Sequence, residues 1–277
     1  MRPLLAVCFC AAFAVLIAPA AAASVFVPHQ ALYELSLQKA KGNSTIEAAR
    51  GRIYYRFGGS DCEGYTSDLR QVSELDNGEG KTTQSDLHTT SWEDAAGKTF
   101  RFKVSARMND ADPALVDGVA ERSGNKVTVK LKKPVAKSFS IDGETVFPTE
   151  QMRRIVDAAR AGKSLLELQV YDGSETGEKV YSTLTVIGRQ VSGERAAKAA
   201  DPATDNSAMK DMPRWPVTVS YFDRGAKNTE GEQTPAYAMS FELYENGVTR
   251  GLVIDYNAFV VAGDLTKFDI KPSKPCK

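Results

Sequence analysis

From Ser24 onward, side chains alternate apolar and polar with a period of two, and one stretch breaks clearly into helical spacing. Phe100, Phe102, Val104, Ala106 and Met108 are separated by Arg101, Lys103, Ser105 and Arg107. Val127, Val129 and Leu131 repeat the pattern, as do Ala31, Tyr33, Leu35 and Leu37 early on and Tyr237, Met239, Phe241 and Leu243 late. Successive strand residues point to opposite faces, so each run reads as a strand with one buried and one wet face. Weaker runs follow at 51–57, 164–171, 179–187, 217–222, 251–256 and 258–261. Tight-turn pairs punctuate them: Asn77-Gly78, Gly124-Asn125, Asp142-Gly143, Asp172-Gly173 and Asn246-Gly247. Together they predict roughly twelve to fourteen strands, mostly joined as hairpins.

After Pro148, Met152, Ile155, Val156 and Ala159 recur at helical spacing, with Arg153, Arg154, Asp157 and Arg160 on the other faces. The spacing predicts one helix of about three turns, with Thr149 as N-cap and Gly162 as stop. Strands lie ~4.8 Å apart, so thirteen of them form a sheet on the order of 60 Å wide. One helix covers only about 10 Å of that width. The apolar face must therefore curl onto itself, and a wrap of more than about eight strands leaves interior space to fill.

The ends carry processing signals. Arg2 precedes an unbroken apolar run from Leu4 to Ala18, then Pro19 and Ala21-Ala22-Ala23, the pattern of a signal peptide cleaved after residue 23. Cys8 and Cys10 follow bulky Val7 and Phe9, which disfavours lipidation there. The expected mature chain, 24–277, is exported to an oxidising compartment with two cysteines, Cys62 and Cys276. They form one disulfide or stay as two free thiols; no paired Cys or His spacing suggests a metal. The stretch 192–213, polar and Ala-rich, reads as an exposed loop within a single domain.

Composition removes several functions. The 35 Lys and Arg balance 35 Asp and Glu, so there is no basic footprint for nucleic acid. Two His, His29 and His88, leave little for a Ser-His-Asp site. Gly162-Lys163-Ser164 imitates a phosphate loop, but Asp157 stands where the motif needs Gly. Ser-x-x-Lys occurs three times without its companion motifs, and Asn109 to Asp112 lacks the later ligands of a calcium loop. The reading is a non-enzyme without cofactor or metal, not membrane-spanning.

Several stretches recur together in a known order: His29 to Leu35, Gly51 to Tyr55, Asp61-Cys62-Glu63-Gly64 and Ser91-Trp92-Glu93-Asp94. Phe147-Pro148-Thr149, Val170 to Gly173, Ser220-Tyr221-Phe222, Leu243 to Val248, Asp255-Tyr256 and Cys276 complete the set. Across nearly the whole mature chain this resembles the EipB cell-envelope integrity family of alphaproteobacteria, with Gln151 standing where a His is expected. The resemblance implies a monomeric periplasmic protein and an open antiparallel β-spiral of about 14 strands, with the helix at its inner wall. It also implies a Cys62–Cys276 disulfide, a role in envelope integrity and a link to a periplasmic tetratricopeptide-repeat protein. The shape is similar to lipoprotein carriers of the Lol pathway, so a lipid, acyl chain or hydrophobic peptide is the expected ligand. Candidates to line its cavity are Phe100, Phe102 and Met108, the helix residues Met152, Ile155 and Val156, and Tyr237, Met239 and Phe241. Docking of the repeat protein on the outer surface, with no ligand, is the alternative.

Overall fold

The computed structural model describes residues 26–272 except 43, 79, 192–200 and 226–232. It contains fifteen strands and one helix. The first half runs β1 (His29–Ala40), β2 (Ala48–Ser60), β3 (Gly64–Asp76), β4 (Thr82–Glu93), β5 (Thr99–Met108), β6 (Ala114–Ser123), β7 (Lys126–Lys133) and β8 (Lys137–Asp142). The two-residue β9 (Thr145–Val146) leads into α1 (Pro148–Arg160). There follow β10 (Leu165–Val170), β11 (Tyr181–Ile187), β12 (Arg214–Asp223), β13 (Tyr237–Tyr244), β14 (Thr249–Asp255) and β15 (Phe259–Ile270).

All strands join one sheet in the order β8 to β1, then β15 down to β9, antiparallel except for β9 beside β10. β1 and β15, first and last in the chain, pair along their length from His29 opposite Ile270 to Ala40 opposite Phe259. The two edges, β8 and β9, are consecutive in sequence and separated by only Gly143 and Glu144. A short link therefore draws the ends of the sheet together into an almost closed curl. Gln169 of β10 spans the seam, its Nε2 donating to Asp142 O at 3.1 Å and to Thr145 Oγ1 at 2.7 Å.

The inner face packs into two cores. The larger lies beneath β1, β2 and β11–β15 and takes in Ile155, Val156, Ala158 and Ala159 of α1. The smaller lies beneath β5–β8, where Phe100, Phe102, Val129 and Leu131 close on Phe147 and Tyr171. Between them, β3 and β4 turn Ser67, Gln71, Thr89 and Ser91 inward, and Ser67 Oγ lies 2.8 Å from Ser91 Oγ. Polar inward residues mark where the sheet passes from one core to the other.

The helix stop matches expectation, and its start does not. Gly162, at φ 70°, bonds Ala159 O while Lys163 N bonds Ala158 O, a Schellman stop. Pro148 occupies the first turn, Phe147 is the N-cap residue without a side-chain bond, and Thr149 lies inside the helix. The free N–H groups are met by a residue from a distant strand, Glu93 of β4. Its carboxylate accepts from Thr149 N at 2.7 Å and Glu150 N at 2.9 Å. Of the expected exposed loop, 192–200 falls outside the described residues, and 201–213 is anchored inward. Ala203 and Met209 are buried, and Arg250 Nε reaches Asp201 Oδ2 at 2.5 Å.

Candidate functional site

The inner face is incompletely filled where α1 crosses it. A cavity of about 230 Å³ lies between the helix and β1–β3, β12–β14. Sequence register assembles its wall. Ala31 opposes Tyr55 and Tyr55 opposes Leu69, while Val219 opposes Met239 and Val217 opposes Phe241. Tyr55, Leu69, Val219, Met239 and Phe241 thus reach the cavity from four strands, and Gln151, Met152 and Ile155 close it from the helix. Tyr55, Ser67, Leu69, Met152, Tyr221 and Met239 face inward yet are only half-buried, so the space opens to solvent on that side.

No Asp, Glu, Lys or Arg lines this wall. Its tyrosine hydroxyls stay protonated: loss of hydration inside the curl pushes Tyr33 up to about 12 and also raises Tyr55 and Tyr221. Tyr33 Oη donates to Thr249 O at 2.8 Å, and Gln151 Nε2 is buried with no hydrogen-bond partner. The cations around α1 are already engaged. Arg153 pairs with Asp61 at 3.1 Å, and Arg160 with Glu245 at 2.7 Å. Glu150 takes Arg122 at 2.6 Å and Arg154 at 3.0 Å. Larger depressions, of about 610 and 590 Å³, are grooves fringed by exposed side chains such as Arg50 and Arg52, or Arg101 and Lys132. They lack the apolar wall that holds a ligand against water.

Of the nine residues expected at a cavity, Met152, Ile155, Met239 and Phe241 come together on this wall. Val156, on the helix, is buried in the larger core, and Tyr237 stacks on the wall residue Tyr221 with ring centroids 4.6 Å apart. Phe100 and Phe102 lie in the other core, stacked on each other and flanked by Phe147 and Tyr171. Met108, the last residue of β5, is 51% exposed. The period of two sorts residues by face but not by position along the curl, so it joined residues of two separate cores. Phe57, Leu69 and Tyr221 lay on the same apolar face, and strand order was the missing signal.

Chemistry has little foothold. His29 is buried, its Nδ1 2.8 Å from Val27 O, and His88 stands on the wet face of β4, 2.9 Å from Asp68. Among the described residues no cluster of His, Cys, Asp and Glu could hold a metal, and no helix is long and apolar enough to cross a membrane.

A single-sheet β-curl with one helix against its inner wall and an open apolar cavity defines a barrel-like β class. The match to known proteins gives that class a name: the chain belongs to the EipB-like family, whose model covers residues 20–272. It is 37% identical over 253 residues to the cell envelope integrity protein EipB of Brucella abortus, covering 91% of this chain and 87% of that one. It also superposes on the crystal structure of a beta-barrel-like protein of a domain of unknown function from Brucella abortus. There the TM-score is 0.79 at 36% identity, over 89% of this chain and 99% of the other.

Proposed function

We propose that this protein supports envelope integrity, as a monomeric, non-enzymatic periplasmic protein, by holding an apolar ligand in the cavity beneath α1. The ligand is a lipid, an acyl chain or a hydrophobic peptide. The observation that carries this is an apolar, uncharged wall left half-open to solvent, where a finished core would have closed. At about 230 Å³ the space is just under the ~300–1,000 Å³ of pockets for drug-sized ligands, which suits one short chain and not a whole two-chain lipid. Binding would bury apolar surface reversibly at roughly 25 cal/mol per Å².

Two further elements complete the proposal. Residues 1–23, outside the described residues, act as the export signal. Cys62, in the turn between β2 and β3, is disulfide-bonded, and Cys276, also outside the described residues, is its proposed partner. Reach supports this pairing. Ile270 lies opposite His29, and His29 opposite Phe57, so β15 ends about two strand spacings, ~10 Å, from the strand leading to Cys62. A few extended residues, at ~3.4 Å each, cover that distance.

The test is native mass spectrometry of protein purified from the periplasm, with lipid analysis of its extract. A stoichiometric apolar adduct is expected. A clean apo mass, together with full function in cells of a cavity-filling Leu69→Trp variant, would overturn the reading. It would shift the function to the outer surface and a tetratricopeptide-repeat partner.

A further inference from the structure

The polar atoms around the cavity constrain what its occupant carries, an inference that rests on the ligand-holding reading above. An anionic ligand meets no counter-charge. The wall has no cation, and Arg122, Arg153, Arg154 and Arg160 are all committed to carboxylates. The buried group beside the wall is an acid and not a base: Glu93 binds the N–H groups of Thr149 and Glu150, and Thr149 is itself a wall residue. A carboxylate or phosphate brought inside would lose its hydration beside another acid, with no cation to replace it.

A bare hydrocarbon leaves a different deficit. Gln151 is 95% buried, sits on the cavity wall, and its Nε2 has no acceptor. Tyr221 Oη interacts with the amide without a well-formed hydrogen bond to Nε2. A buried donor without a partner destabilises the fold, and an occupant supplying an acceptor would recover that loss. Gln151 lies on the first turn of α1, so its backbone is fixed and its amide can serve a ligand without reorganisation of the fold.

We infer that the cavity takes an uncharged occupant: a single short apolar chain headed by a carbonyl acceptor, an ester or an amide, placed to accept from Gln151 Nε2. Acyl esters and acyl amides both fit this chemistry; free fatty acids and plain alkanes do not.

The experiment is displacement of the apolar dye N-phenyl-1-naphthylamine from the purified mature protein at neutral pH. The competitors are N-methyloctanamide, methyl octanoate and octanoate, with 1-octene as the acceptor-free chain. The amide and the ester should each compete at least tenfold better than octanoate. The amide should exceed the alkene about tenfold in wild type, and that ratio should fall towards one in Gln151→Leu. Gln151→Met repeats the measurement if the leucine variant does not fold, and thermal unfolding checks both. Octanoate competing as well as the amide would overturn the inference, as would an amide-to-alkene ratio unchanged in folded variants. Dye binding with such a result would leave the ligand-holding reading standing. A protein that binds neither dye nor any chain would overturn both.

Discussion

Glu93 illustrates how much a single residue decides here. Burial pushes its carboxyl up to about 7, against the pull of the two N–H groups of α1. Between its ordinary value of 4.5 and about 7, the folded protein keeps a proton that the unfolded chain has released. Stability from this group therefore falls as pH rises through that window, by up to on the order of 3 kcal/mol. Asp172, raised by burial from its ordinary 3.8, acts in the same direction, and further groups act elsewhere or with opposite sign. Asp68, Asp86 and Asp255 are held below their ordinary 3.8, so their contribution is lost only as pH falls below that value. His29, lowered by burial from 6.5, loses stability as pH falls below 6.5. Subtracting a Glu93→Gln variant isolates the carboxyl. The wild-type melting temperature minus that of the variant should drop by several degrees between pH 4.5 and 7.5, by thermal melts in matched buffers. A difference independent of pH would mean that the helix N–H groups hold Glu93 ionised throughout. The sequence marked Glu93 only as part of the Ser91-Trp92-Glu93-Asp94 stretch and not as a cap, because its partner lies more than fifty positions away and Thr149 offered a plausible local cap.

At the scale of elements, legibility followed contrast between the two faces of a strand. β1, β5, β7 and β13 alternate strongly and were readable. β3 and β4 were not marked, because their inward residues include Ser67, Gln71, Ser91 and Thr89 beside Leu69 and Leu87, leaving little hydropathy difference between faces. β6 turns Gly118 and Ala120 inward, small residues that make room for Phe102 and Leu131 and carry almost no signal. The segment 172–180 was another surprise, since a turn pair announced a surface hairpin and the chain folds inward instead. Tyr171 Oη donates to Gly177 O at 2.7 Å, and Gly173, at φ 69°, sits against the Phe102 ring. A Cβ there would come within 2.3 Å of that ring, which belongs to a packed core. Gly173→Ala should thus cost about 2–4 kcal/mol, combining left-handed strain with overpacking. Denaturant melts check this, and a loss below 1 kcal/mol would show that the segment yields easily.

The whole molecule was legible as a class, from a single count: too many half-buried strands for one helix to cover. What the count could not supply was the route of the curl, and hence which apolar residues face which core. That information sits in pairings between distant strands. At this scale the proposed Cys62–Cys276 bridge would close a loop of about two hundred residues. The chain-entropy limit for such a closure is about 5 kcal/mol. Cys276→Ser should lower the melting temperature by several degrees and make the wild-type melt sensitive to reductant. Identical melts with and without reductant would count against a structural bridge.

The side-by-side placement of β1 and β15 also bears on how fast the molecule forms. Every other neighbouring antiparallel pair is formed by consecutive strands, whereas His29 must wait for Ile270 to be synthesised and to diffuse back. The two arms of the meander can each assemble locally, with their junction as the late, entropically slow event. A circular permutant that joins the ends of β15 and β1 by a short linker and opens the chain between Gly143 and Glu144 converts this junction into one more hairpin. In stopped-flow refolding it should fold at least several-fold faster than the natural order while keeping the same sheet, and equal rates would place the slow step elsewhere.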